Sequence, residues 1–395
     1  MNIAIAALAA DIPDGGAMAN RILMLSTGLA ALNHQVHIVV PYKFKPGPLS
    51  EVISGVKIHW GTYAKPAEIF TWGGRLRKRI LLFRTIRKLM IGGLDWLILY
   101  DMGLDGLPLL LLAKRYQCLV ASDNCDTRVL SIRPSLLELL YVVSYKLGHY
   151  IVTPFLDLNF AISNYLENYL AKIAPQVPRL MVPAPVNTAE FDVPQGVANN
   201  FRSRWGINHS LTIGYFGTIY QVKGLEVLLK AAKKLADQGE DFRLLITGNA
   251  ADHVGLRTSI NALGLGEKVV LTGYLSRGDL IATMAAADIL VEPKIDHTLN
   301  QAAFPQKLAE YLATGKAIVA SAIGDIPLYL KDRDNALLCR AGDEDSMAKA
   351  LKILLDDQGL RAKLGLRGRE TARNFFDHKI IARRMENSLS IIKSS

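Results

Sequence analysis

Cysteine is scarce in this chain. Only Cys118, Cys125 and Cys339 occur among 395 residues, an odd number without metal-ligand spacing. A disulfide framework is not expected, and a reducing compartment is the simpler setting. Long hydrophobic runs are missing too. The apolar stretches near 94–113 and 136–156 are interrupted or bounded by Asp95, Asp101, Asp105, Lys146 and Asp157, so neither reaches the about 18 apolar residues of a spanning helix. The opening MNIAIAALAA has no basic start and runs at once into Asp11, Pro13 and Asp14. A buried first strand is expected there rather than a leader, and a cytoplasmic protein, at most peripheral on the inner face of a membrane. There is no zinc or helix-turn-helix signature and no aromatic-rich platform, so a nucleic-acid partner is not expected. Short repeats and low-complexity tracts are absent as well.

Acidic residues are in deficit: 46 Lys and Arg stand against 36 Asp and Glu, a net charge of +10. Residues 1–186 hold 19 basic against 12 acidic residues and 187–395 hold 27 against 24. The excess is therefore concentrated in the first half. Its densest part is GGRLRKRILLFRTIRKLMIGG, where Arg75, Arg77, Lys78, Arg79, Arg84, Arg87 and Lys88 interleave with Ile80, Leu81, Leu82, Phe83 and Ile86. Such a helix suits an anionic membrane surface, contacted through 75–88, or equally a solvated helix with one apolar face on the core.

A length of 395 residues exceeds one compact core and predicts two domains. The first half reads as strand (Ile3 to Ala9), Gly-containing loop, helix (about Ala19 to Leu32) and strand VHIVVP. LDWLILYD, CLVASD and LNFAIS are later strands, and NYLENYLAKI is a helix. VPAPVN (182–187), with two prolines, is the linker candidate. The alternation then restarts with LTIGYFG, FRLLITG, KVVLTGY and DILVEP as strands and KGLEVLLKAAKKLADQG and RGDLIATMAAA as helices. The pattern predicts an α/β chain of two doubly wound, Rossmann-like domains facing a central cleft. The first covers 1–185, completed by a C-terminal helix over 378–395, and the second covers 186–377. In such sheets ligands sit beyond the carboxyl ends of the strands.

Three loops in those positions carry candidate chemistry. In GYFGTIYQVKGLEVLL, Gly217 permits close approach of the backbone and Lys223 precedes a helix start, an arrangement suited to phosphate. The order of residues is not that of a Walker loop, and a solvated surface lysine is the plainer alternative. In FPQKLAEYLATGKAIVAS, Pro305 suits the first turn of a helix that ends at Gly315, and Glu310 lies a turn in. A carboxylate there can accept from a vicinal diol such as a ribose 2′,3′ pair, or simply complement the helix dipole. In DIPDGGAMANR, Gly15 and Gly16 allow close approach to a ligand or form an ordinary turn.

Taken in order, these segments resemble the group 1 (family 4) retaining glycosyltransferases, which have the GT-B fold. GGAMANRILMLSTGLAALNHQVHIVVP is similar to the family's Gly-Gly loop, helix and following strand. FAISNYLENYL resembles the Ser-containing end of its first domain, and VPAPVNTAEFD its interdomain segment. GTIYQVKGLEVLLKA is similar to its Gly-Arg-Leu-x-x-x-Lys-Gly loop, and FPQKLAEYLATGKAIVASAIGDIP to its most characteristic block. The resemblance implies sugar transfer from a nucleotide-diphosphate sugar to an acceptor hydroxyl, with retention. The acceptor would be a saccharide or lipid-linked saccharide of surface polysaccharide, lipopolysaccharide or glycolipid assembly.

By the same resemblance Glu310 would bind the donor ribose and Lys223 the diphosphate, with Phe304 and Pro305 at the place where backbone N–H groups approach the donor. Lys307 would contact the diphosphate or pair with Glu310. Thr218 stands where the family has Arg, Ala302 where it has the first Glu, Leu328 where Glu is usual, and SDNCDTR lacks the His of the first domain. Asp123 and Asp126 are then the nearest candidates for an acceptor contact or base. No metal is expected, since fixed cations can take its place, and no other cofactor. The departures keep open a nucleotide-sugar epimerase of the same fold, or a non-catalytic partner subunit.

Overall fold

A computed structural model describes the chain except residues 9–11, 13–15, 64–71, 127–135, 218, 220–222, 249–252 and 395. It also leaves out the side chains of 72–76, 78, 137, 141, 253 and 254. Two compact units emerge, Met1–Pro185 with His378–Ser395, and Val186–Asp377.

The first unit is built on an eight-stranded sheet in the order β3-β4-β2-β1-β5-β6-β7-β8. The strands are β1 (Asn2–Ala7), β2 (Gln35–Lys43), β3 (Ser50–Ile53), β4 (Val56–Tyr63), β5 (Trp96–Tyr100), β6 (Leu119–Asn124), β7 (Leu158–Ala161) and β8 (Arg179–Met181). All neighbours are parallel except β3 and β4. That hairpin was not expected from the sequence. It turns at Ser54 and Gly55, both at positive φ (50° and 80°), as a two-residue hairpin turn of the I′ kind requires.

Helices cover both faces, so β5 is buried at every position, as expected of a parallel strand. On one face lie α1 (Gly16–Ala30) and the C-terminal helix His378–Ser394. Gly28 makes their contact possible: a Cβ there would fall 2.5 Å from the His378 carbonyl oxygen. On the other face lie α2 (Trp72–Ile91), α3 (Leu107–Arg115), α4 (Leu136–Val152) and α5 (Asn164–Ile173). Leu82, Ile86 and Met90 of α2 turn inward onto that face. The 75–88 segment therefore lies in a helix whose apolar side is spent on the core.

The second unit holds a six-stranded, all-parallel sheet in the order β11-β10-β9-β12-β13-β14. Its strands are β9 (Leu211–Phe216), β10 (Phe242–Thr247), β11 (Val269–Gly273), β12 (Ile289–Glu292), β13 (Ala317–Ser321) and β14 (Leu337–Cys339). Counted within the unit, that is the 3-2-1-4-5-6 order of the dinucleotide-binding fold. The strand order reverses between β9 and β12, and the carboxyl ends of those two strands are where such sheets hold their ligands. Around them pack α6 (Leu225–Asp237), α7 (Arg277–Ala286) and α8 (Gln306–Thr314). Among the described residues, no helix is long and apolar enough to cross a membrane.

Candidate functional site

The carboxyl end of β12 carries an unusual residue for a strand interior. Glu292 is fully buried. Its Oε1 lies 3.3 Å from Lys294 Nζ and its Oε2 lies 3.1 Å from Lys307 Nζ. Burial alone would raise its pKa. The two ammonium groups outweigh that and hold the carboxyl below its ordinary range. Lys307 comes from the first turn of α8, and its Nζ also sits 4.1 Å from the centre of the Tyr215 ring on β9. The same side chain runs over Gly217, whose Cβ, if it had one, would lie 3.4 Å from Lys307 Cδ and Nζ.

Lys223 joins this group. Burial first, then the charges of Lys294 and Lys307, push its pKa down to about 8, against a smaller opposing effect of Glu292. Its place is set by Gly224, at φ +76°, where a Cβ would fall 1.3 Å from the Pro293 carbonyl oxygen. Only glycine lets the loop before α6 rest on the backbone after β12. Two lysines thus pair with one buried carboxylate, and Lys223 stands beside them at the switch point of the sheet. Three positive charges against one negative leave a surplus of cation there, an arrangement that favours a bound diphosphate.

The rest of the predicted donor set lies around α8. Tyr311 ties this helix to β9: its hydroxyl accepts from Phe216 N at 2.8 Å and donates to Phe216 O at 3.1 Å. Glu310 is buried, and its Oε1 accepts from Arg277 Nη1 of α7 at 2.5 Å. Arg277 also reaches Glu190 at 3.2 Å. Lys307 is accordingly paired with Glu292, and the alternative pairing of Lys307 with Glu310 is not formed. Phe304 stacks on Phe376 (5.0 Å between centroids) and meets Tyr329 edge-on. Its side chain is core, anchoring the start of α8. Pro305 is the N-cap residue rather than part of the first turn. Thr218 and Gly15 lie outside the described residues.

In the first unit the structure corrects one expectation. Asp123, at the end of β6, is 1% exposed and is held by Arg21 of α1, with Nε to Oδ2 at 3.0 Å and Nη2 to Oδ1 at 2.8 Å. Arg21 donates further to the Val182 and Pro183 carbonyls. Burial opposes the guanidinium charge, and Asp123 more than compensates, raising its pKa. A carboxylate with both oxygens so engaged is a structural brace tying α1 to β6 and to the 182–183 segment, not an accessible base. Asp126 is half-buried, near Tyr145, whose hydroxyl donates to Asp101 Oδ1 at 2.7 Å and lies 3.2 Å from the Asp126 carbonyl. Gly16, at φ +49°, opens α1 with nothing within 4 Å of where a Cβ would be.

Glu292, Lys294, Arg277 and Tyr311 were not singled out from the sequence. DILVEPK offered a signal in retrospect, since a Glu closing an apolar strand demands a cation. The sequence also holds two Asp-x-Asp pairs, Asp332/Asp334 and Asp343/Asp345, and both are occupied locally. Asp332 accepts from Leu338 N and Asp334 pairs with Arg367. Asp343 caps a helix at Ser346 N, and Asp345 pairs with Lys234.

Comparison with known proteins agrees with this geometry. Residues 198–371 match the family model of glycosyl transferases group 1. The 2-deoxystreptamine glucosyltransferase of Streptomyces kanamyceticus is 26% identical over 179 residues, 45% of each chain. The chain thus spans about half the length of the curated relatives it matches. Over the full length, sucrose-phosphate synthase from Thermosynechococcus elongatus superposes with a TM-score of 0.79 at 18% identity, covering 100% of both chains. The Anabaena protein HepE, solved in complex with UDP-glucose, gives a TM-score of 0.72 at 16% identity, covering 99% of this chain and 100% of that one. The chain has the GT-B fold, and residues 198–371 of its second unit are similar to the glycosyl transferases group 1 family.

Proposed function

We propose that the protein is a retaining glycosyltransferase that moves a hexosyl group from a nucleoside-diphosphate sugar to an acceptor hydroxyl. The observation that carries this reading is the cluster of Lys223, Lys294 and Lys307 around buried Glu292 at the β9/β12 switch point. As the bond from the anomeric carbon to the diphosphate oxygen breaks, negative charge grows on the leaving diphosphate. Fixed ammonium groups in a partly desolvated site stabilise that charge without reorganising. Lys294 and Lys307 supply the positive charge that Thr218, in place of the family's Arg, does not. On this reading the departure at 218 is compensated, which favours an active enzyme over a non-catalytic subunit.

The acceptor oxygen forms its bond to the anomeric carbon on the face the diphosphate leaves, and its proton passes to the departing phosphate oxygen. This accounts for retention without an enzyme nucleophile. The lysines carry the charge that a metal ion would otherwise neutralise, so the reaction is read as metal-independent. Glu310, one of whose oxygens is held by Arg277, is assigned to the ribose hydroxyls. Asp126 is the acceptor-side candidate that Asp123 can no longer be. The nucleobase is assigned first to uracil, on the likeness of fold to HepE, which binds UDP-glucose. The acceptor is assigned to the saccharides and lipid-linked saccharides of surface polysaccharide, lipopolysaccharide or glycolipid assembly.

The test is a melting series with UDP-, GDP-, ADP- and TDP-sugars. A ligand at about a hundred times its Kd adds about 2.7 kcal/mol of stability. One nucleotide that stabilises the protein, and is released as the diphosphate only when acceptor is present, supports transfer. Isomerised sugar without acceptor would instead mark an epimerase, and no shift with any nucleotide would overturn the donor site.

A further inference from the structure

A surface helix normally turns its apolar side inward and its polar side to water. Helix α4 is apolar on both. Its inner side, Val142, Tyr145, His149 and Val152, is buried. Gly148 seats it directly on the chain at Gly103, where a Cβ would fall 2.0 Å from the Gly103 carbonyl carbon. The helix is therefore firmly docked, and its other side faces outward. That side presents Leu136, Leu140, Val143, Leu147 and Ile151, followed by Phe155, each between 42% and 71% exposed. The spacing of the five helical positions is that of one continuous stripe. Eight of the 22 large hydrophobic residues exposed among the described residues fall within 136–155, too concentrated for chance exposure of single side chains.

Charge identifies what covers this stripe. α2, α3 and α4 lie on the same face of the sheet and pack in sequence, α2 on α3 and α3 on α4. Together these helices contain ten Lys and Arg and a single acidic residue, Glu138, nearly the whole net charge of the chain. Arg84, Arg87 and Lys88 of α2, Arg115 of α3 and Lys146 of α4 are exposed. Arg79 and Lys114 are exposed too, and each pairs with an acid, Asp105 and Asp157 respectively. A second copy of the chain would bring the same cationic face against itself. An anionic bilayer instead offers hydrocarbon to the stripe and phosphate headgroups to its basic surroundings.

We propose that the outward stripe of α4 inserts into the interface of an anionic membrane, with the exposed basic residues of α2 and α3 contacting the headgroups. The insertion element is thus α4, whereas 75–88 supplies charge.

Co-sedimentation with phosphatidylcholine–phosphatidylglycerol vesicles, and with phosphatidylcholine alone, tests it. The intact protein should bind the anionic vesicles and bind the neutral ones far less. The combined variant Leu136→Ser, Leu140→Ser, Val143→Ser, Leu147→Ser should lose roughly tenfold or more in vesicle affinity while melting no lower. Leu366→Ser, exposed in the other domain, should change nothing. A second measurement does not depend on the fourfold variant: Leu147→Trp should add a fluorescence signal quenched by brominated anionic lipid. Undiminished binding by the fourfold variant, an added Leu147→Trp signal that stays unquenched, or no binding by the intact protein would each overturn the proposal. So would a dimer in solution that the fourfold variant dissociates, which would give the stripe to a second copy.

Discussion

Replacing Lys223 with Met should make the ligand-free protein more stable and unable to bind its nucleotide. An ordinary lysine in the unfolded chain titrates near 10.4, while in the fold Lys223 is pushed down to about 8 by burial and by Lys294 and Lys307. At neutral pH the side chain is still mostly charged, so folding bears the cost of holding that charge where it is disfavoured. A gap of more than two pKa units corresponds to about 3 kcal/mol. Lys223 is only partly shielded from water, which screens the charge and brings the expected cost to about 1–2 kcal/mol. Methionine keeps the apolar stem and removes the charge.

For a domain of this size each kcal/mol moves the melting temperature by about 2–4 °C, so the variant should melt about 2–8 °C higher at pH 7. The pH dependence gives a second check. Between about 8 and the unfolded value the unfolded chain binds more protons than the fold, so the stability of the unmodified protein rises with pH across that window. The advantage of Lys223→Met must therefore shrink as pH climbs from 8 toward 10. Differential scanning calorimetry with and without UDP, at several pH values, reads all of this. A variant that melts lower, or that keeps the full nucleotide-induced shift, refutes the placement of Lys223 as a charge reserved for the ligand.

The unmodified protein should bind UDP with a Kd that is flat below about pH 8 and rises toward tenfold per pH unit above it, because the anion is held by the protonated Lys223; calorimetric titration at constant ionic strength checks this, and a flat profile to pH 9.5 would count against it. Asp123→Asn should destabilise the first domain by about 3–5 kcal/mol by leaving the Arg21 charge unpaired, whereas Asp126→Asn should leave the melting temperature within about 1 °C and lower transfer; denaturation and initial-rate measurements on both separate brace from acceptor-side group. Transfer should be unchanged by EDTA, and a loss restored by added divalent ion would return the leaving-group charge to a metal.

The fold was largely legible because its signals are local and redundant. β5 and β12 are short apolar runs that end at polar residues, and α8 announces itself through Pro305 and ends at Gly315 in the left-handed conformation. The β3–β4 hairpin escaped because its edge strand β3 has only four residues and little burial and β4 is half polar; the Ser54–Gly55 turn was its only strong mark. The site was legible in part. Lys223, Lys307 and Glu310 stand in recognisable segments, but their partners come from elsewhere in the chain, Glu292 from β12 and Arg277 from α7. Which acid meets which base is fixed by packing in three dimensions, and the sequence left open a Lys307–Glu310 pair that does not form. Asp123 misled for the same reason: its Arg21 partner is 102 residues away.

The buried carboxylate explains how so many cations can be kept together. Three lysines in one partly dry pocket would repel, and the easiest escape is for one to lose its proton. Glu292 gives two of them an opposite charge. Its oxygens lie within 3.3 Å of Lys294 and Lys307, so both have an anion at contact and Glu292 has both charges to justify its burial. Lys223 is left as the third member, and its depressed pKa is where the unresolved repulsion shows. Glu292→Gln should then do more than remove one partner. With the carboxylate gone, Lys223 loses the one charge that opposes the fall of its pKa, and the pH above which UDP affinity declines should move below that of the unmodified protein. A variant that merely unfolds would lose binding at every pH alike. A variant with unchanged melting, affinity and pH profile would show that Glu292 does not organise the cluster. A shifted profile with affinity recovered at low pH would show that a buried acid is what arms this anion site.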